Sequence, residues 1–96
     1  MGAIEMMTLA QVERTLKDIV RDLKLVDATV LAQQPGRWLH VWIVTPDFEG
    51  KSIGERENLI WSEFERRLDD ATILAITQCY LLTPAEYSST GQREAV

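Results

Sequence analysis

Trp38-Leu39-His40-Val41-Trp42-Ile43-Val44-Thr45-Pro46-Asp47-Phe48-Glu49-Gly50-Lys51-Ser52-Ile53-Gly54-Glu55-Arg56 is the stretch that decides the fold. Its first part is β-branched and aromatic, which predicts a strand over Trp38–Val44. Thr45-Pro46-Asp47 marks the end of that strand, because proline has no N–H to donate to a sheet ladder. Ser52-Ile53-Gly54-Glu55 has capping-box form, a hydroxyl at the N-cap and a Glu three residues on, and opens a helix. Ile53, Ile60, Phe64 and Leu68 line one side of that helix, with Leu59 beside them. Asp69-Asp70 is expected to stop it, since negative charge is unfavourable at a helix C-terminus.

Working outward, Gln33-Gln34-Pro35-Gly36 is turn chemistry, and Leu25-Val26-Asp27-Ala28-Thr29-Val30-Leu31 before it reads as a strand. The two strands form a hairpin. Upstream, Thr8-Leu9-Ala10-Gln11 is a second capping box. Leu9, Val12, Leu16, Ile19, Val20 and Leu23 then recur at helical spacing. Towards the C-terminus, Ile73–Leu82 reads as a third strand. Thr83-Pro84-Ala85-Glu86 starts a short final helix, with proline at its first position. The expected organisation is a single domain over 8–88, with flexible termini at 1–7 and 89–96. Its order, α-β-β-α-β plus the short C-terminal helix, predicts an α+β fold of two layers, with helices on one face of a three-stranded sheet.

At 96 residues and 46% hydrophobic content, the chain can bury one core and has no volume for a second. Its net charge of −5 disfavours nucleic acid, whose binding draws mainly on Lys and Arg. The second helix carries Glu55, Glu57, Glu63, Glu65, Asp69 and Asp70 against Arg56, Arg66 and Arg67, so it offers no basic stripe. Those acids read as a solvated face and not as a poised catalytic pair, and no enzyme activity is expected. Gly50-Lys51-Ser52 before a helix lacks the earlier glycine of a P-loop, and Gly50 and Gly54 stand four apart, outside a Gly-x-x-Gly clamp. A structural turn is the preferred reading. Cys79 is the single cysteine, so no internal disulfide can form, which suits a cytoplasmic setting. No apolar run is long enough to span a bilayer, so no membrane partner is expected.

The run Phe48-Glu49-Gly50-Lys51-Ser52, with Arg56 eight residues after Phe48, resembles the signature of BolA-like proteins. Leu25-Val26-Asp27 is similar to that family's first strand, and Thr83-Pro84-Ala85-Glu86-Tyr87 to its closing Thr-Pro-x-Glu-Trp. The resemblance implies a type II KH-like fold and a regulatory protein that binds nucleic acid or pairs with a monothiol glutaredoxin around a shared [2Fe–2S] cluster. The departures bear on function. The family's Arg-His-Arg at the head of the second helix is Arg56-Glu57-Asn58 here. Its cluster-ligating His, at the start of the third strand, falls near Leu74 or Ala75. The hairpin loop, Gln33 to Arg37, contains neither His nor Cys. Of the soft ligands only His40 and Cys79 remain, read as a strand-surface residue and an inert small core residue, so no cofactor is expected.

In the second strand Leu39, Val41 and Ile43 alternate with Trp38, His40 and Trp42, so both faces are apolar. If the aliphatic set faces the helices, Trp38, His40 and Trp42 stand on the open face of the sheet as interface candidates. The resulting expectation is a non-enzymatic BolA-like interaction module that self-associates through that face, with a monothiol glutaredoxin as a candidate partner. The alternatives are a KH-like nucleic-acid-binding regulator and a dimerisation domain like the cytoplasmic one of cation-efflux transporters, which shares the element order. The latter would imply metal-binding His and Asp along the sheet, where only His40 is available.

Overall fold

Two capping boxes hold the ends of the two long helices in the computed structural model, which describes residues 7–94. Thr8 and Gln11 close the first, with Gln11 N–H donating to Thr8 Oγ1 (3.1 Å) and Thr8 N–H to Gln11 Oε1 (2.8 Å). Helix α1 (Leu9–Asp22) follows and buries Val12, Leu16 and Ile19. Ser52 and Glu55 close the second in the same way and open helix α2 (Ile53–Arg67), which buries Arg56, Ile60 and Phe64. Between them lie strands β1 (Thr29–Gln33) and β2 (Leu39–Val44) and a 3-10 turn at Pro46–Phe48. Helix α3 (Asp70–Ala75), strand β3 (Ile76–Leu82) and helix α4 (Pro84–Glu94) complete the chain.

The sheet order is β1-β2-β3, with β1 antiparallel and β3 parallel to the central β2. A parallel neighbour requires a crossover, and α2 and α3 supply it. Leu39, Val41 and Ile43 of β2 are fully buried with Ile19, Phe48, Ile60 and Phe64, so the core lies between one face of the sheet and the helices. Register places Val41 beside Cys79 and Ile43 beside Leu81 on that face. The α+β architecture with a three-stranded sheet is the one expected from the sequence.

Three boundaries differ from the sequence reading. Leu25–Asp27 is not strand. Helix α1 ends in a Schellman-type cap, with Lys24 N–H donating to Arg21 O (3.0 Å) and Leu25 N–H to Val20 O (3.0 Å). Lys24 (φ +57°) and Asp27 (φ +48°) are left-handed, which breaks strand geometry, and β1 starts only at Thr29.

Asp69-Asp70 ends one helix by beginning another. Asp69 is the N-cap of α3, its Oδ1 accepting from Thr72 N–H (2.8 Å), so its charge sits at the favourable end of the new helix. β3 therefore starts at Ile76 and not at Ile73. Finally, α4 runs for 11 residues where a short turn was expected. Of the termini expected to be loose, 1–7 and 89–96, residues 1–6 and 95–96 lie outside the described residues, and 89–94 belong to α4.

Candidate interaction surfaces

The signature residues converge on Arg56. This residue is only 6% exposed, and its guanidinium donates from Nε to Lys51 O (3.1 Å) and from Nη1 to Leu81 O (2.9 Å) and Glu86 Oε1 (2.7 Å). It also lies 5.6 Å from the centre of the buried Phe48 ring. Glu86 forms a capping box with Thr83 at the start of α4, accepting from Thr83 N–H at 2.8 Å. One guanidinium thus ties the loop after β2 to the end of β3 and to α4. The Arg56 hydrogen bond, and then that from Thr83, holds the Glu86 carboxyl below its ordinary value.

Gly50, at φ +81°, makes the turn that brings Lys51 O to Arg56. The Ser52 hydroxyl is occupied in capping, and the Glu55 carboxylate covers the Ser52 N–H at 2.7 Å. The hydrogen bonds from Ser52 keep that carboxyl ionised below its usual range. A negative group already fills the helix N-terminus where a phosphate would sit, so Phe48, Gly50, Lys51, Ser52 and Arg56 form a structural clasp.

The other face of the sheet holds the buried Val44 but none of the residues of the main core cluster. Register puts Leu31 of β1, Trp42 of β2 and Tyr80 of β3 side by side across it. Trp42 stacks on Tyr80 (ring centres 5.1 Å apart) and takes His40 edge-on at 6.3 Å. Leu31 is 38% exposed. His40 and Trp42 therefore share one patch. Trp38 does not belong to it. It precedes β2, lies under the Arg37 guanidinium at 4.7 Å, and lines a separate ledge with Ala71, Leu74 and Ala75. Trp38 and Leu74 are 42% and 78% exposed there.

Leu31 and Tyr80 were missed by sequence reasoning because only the register shows that they flank Trp42. Leu74 was missed because α3 was read as strand.

The ledge lies at the point where the family resemblance puts the cluster-ligating His. Arg37, Trp38, Ala71, Leu74 and Ala75 contain no thiolate or imidazole, so these residues do not fit an iron–sulfur cluster. His40 and Cys79 cannot substitute, since they stand on opposite faces of the sheet. Burial, aided by the Glu57 charge, pushes the Cys79 thiol up to about 12, which keeps it protonated. Among the described residues no group of three or more His, Cys, Asp or Glu side chains could hold a metal ion, and no helix is long and apolar enough to cross a membrane.

No protein-family model matches the chain, and no curated protein matches its sequence. A solved structure does match: the crystal structure of a Bol-like protein from Babesia bovis, at 20% identity and a TM-score of 0.51, covering 93% of this chain and 99% of that one. At that identity the likeness concerns backbone architecture. The chain has a BolA-like fold.

Proposed function

We propose that this protein is a non-enzymatic interaction module that acts through protein–protein contacts, chiefly by self-association over the open face of its sheet. The observation that supports this reading is the unpartnered row Leu31–Trp42–Tyr80, apolar and aromatic where a solvated sheet face would carry polar residues. A two-fold axis through the row would make it self-complementary. The patch is small. Three strands about 4.8 Å apart fall short of the roughly 800 Å² per partner of a stable interface, and Trp42 is already mostly covered, with Tyr80 and His40 against it. A weak, reversible dimer follows, on the order of tens of micromolar or weaker.

Sedimentation velocity over a concentration series, with the Trp42→Ser variant beside the parent, checks this. The parent should shift with concentration and the variant should not, while both keep the same circular dichroism. If the variant unfolds, Trp42 belongs to the folding core and the interface reading fails.

A monothiol glutaredoxin is the second candidate partner, and the exposed Trp38–Leu74 ledge supports it as a direct protein contact without a ligand from this chain. Co-expression with such a glutaredoxin, followed by co-purification and a visible spectrum, tests it. The complex should be lost on Leu74→Asp and its absorption left unchanged by Cys79→Ser. A spectrum that changes on Cys79→Ser would place a ligand where this reading has none.

A further inference from the structure

Strand β3 is an edge strand, since the sheet order leaves one of its sides unpaired. Leu81 O points outward on that side, where it accepts from Arg56 Nη1. Backbone groups along a strand alternate between its two sides, so the N–H and C=O of Cys79, two residues earlier, also point outward. Beside this edge runs a groove of about 280 Å³, lined by Ile53, Arg56 and Glu57 of α2, by Cys79–Leu82 and by Glu86.

Ile53 is 70% exposed, an unusual position for a large aliphatic side chain. Arg56 and Glu86 neutralise each other. Glu57, exposed and in no ion pair among the described residues, is the uncompensated charge of the groove.

We propose that the outer edge of β3 accepts an extended segment of a partner protein as a fourth strand, with aliphatic side chains against Ile53 and a Lys or Arg at Glu57. An unpaired edge supplies main-chain hydrogen bonds, and pockets for alternate side chains supply selectivity. The groove volume lies below the ~300–1,000 Å³ typical of small-molecule sites, which suits the side chains of a strand held mainly by its backbone. Charge decides the occupant. A second copy paired edge to edge would bring two Glu57 carboxylates to one seam between chains of net charge −5, whereas a basic segment meets complementary charge. This surface shares only Tyr80 with the Leu31–Trp42–Tyr80 row and uses the backbone edge of β3, not the open sheet face, so its failure leaves the self-association reading standing.

The probe is a blocked peptide, Thr-Val-Thr-Lys-Thr-Val-Thr, which places Val, Lys and Val on one side of a strand. Backbone NMR titration of the intact protein should show saturable shifts at Thr77–Tyr80 and Glu57, and the outward-facing Cys79 amide should gain protection from hydrogen exchange. Replacing the peptide Lys by Glu, or Glu57→Lys in the protein, should weaken binding about fivefold or more at low salt. Unchanged circular dichroism of the Glu57→Lys variant would show that this loss is not unfolding. Absence of saturable shifts would overturn the proposal. So would shifts without protection of the Cys79 amide, or protection of that amide that rises with protein concentration alone.

Discussion

Arg56 concentrates more of the structure on one side chain than any other polar residue described. Its hydrogen bonds reach Lys51 O, Leu81 O and Glu86, so three segments depend on it. Arg56→Ala leaves a buried carbonyl and a carboxylate without their donor and should cost about 2–4 kcal/mol in urea denaturation. Arg56→Lys should recover only part of that, because a point charge cannot satisfy a fork of donors. The pH dependence follows from Glu86. Its carboxyl is held below the ordinary value by Arg56 and Thr83, so the pair contributes stability above the unfolded-state value. That contribution is lost as pH falls through the folded-state value, and an acid titration of the melting temperature should fall less steeply in Glu86→Gln. Lys24 offers the opposite case. It occupies the left-handed cap of α1, a place that favours glycine, and Lys24→Gly should raise stability by about 0.5–1 kcal/mol, read by thermal denaturation.

At the scale of elements, α3 shows where sequence pattern reached and where it stopped. The capping boxes at Thr8 and Ser52 and the aliphatic alternation of β2 were legible because each is a local rule whose partners lie within a few residues. Asp69-Asp70 was ambiguous, since an acid that ends one helix also caps the next, and six residues carry too little periodicity to decide. Leu25–Asp27 misled for a related reason. Its apolar residues look extended, but tertiary bonds from Val26 N–H to Asp47 Oδ2 (2.8 Å) and from Thr45 Oγ1 to Val26 O (2.6 Å) hold a loop there. The Leu31–Trp42–Tyr80 row depends on register across two strand pairs, which one sequence does not display. Asp69→Ala should remove the α3 cap at a cost of about 1 kcal/mol, and Asp69→Asn, which caps without the charge, should recover most of it. β3 carries its own test. A thiol pushed up to about 12 is almost wholly protonated at pH 8, so Cys79 should react with iodoacetamide far more slowly than a free thiol and accelerate on addition of urea.

Charge placement over the whole molecule decides what kind of partner it can hold. A net charge of −5 alone would not exclude nucleic acid, because a local basic stripe can act against an overall acidic field. The structure shows how the basic groups are used. Arg56 is paired with Glu86, Arg66 with Glu63, Arg67 with Glu63 and Asp22, and Arg21 with Asp18 and Asp22. Every arginine of α2, the helix on which the family resemblance would place nucleic-acid contacts, is therefore neutralised within the fold. Of the other described side chains, Arg14, Lys17 and Lys24 share α1 and its end with Glu13, Asp18 and Asp22. Arg37 lies on Trp38, and Lys51 stands near Glu55 at the head of an acidic helix. Binding duplex DNA through α2 would require breaking internal pairs to free its cations, and few counterions would be released in return. A fluorescence-anisotropy titration of a generic duplex should give no saturable binding at physiological salt and only a shallow salt slope at 50 mM or so. The Glu63→Gln variant sharpens the comparison, since it frees Arg66 and half-frees Arg67 without adding any positive residue. If pairing is what silences these arginines, that variant should bind measurably better than the parent at low salt; equal, negligible binding would mean that the acidic field of the whole molecule, and not local pairing, keeps phosphate away.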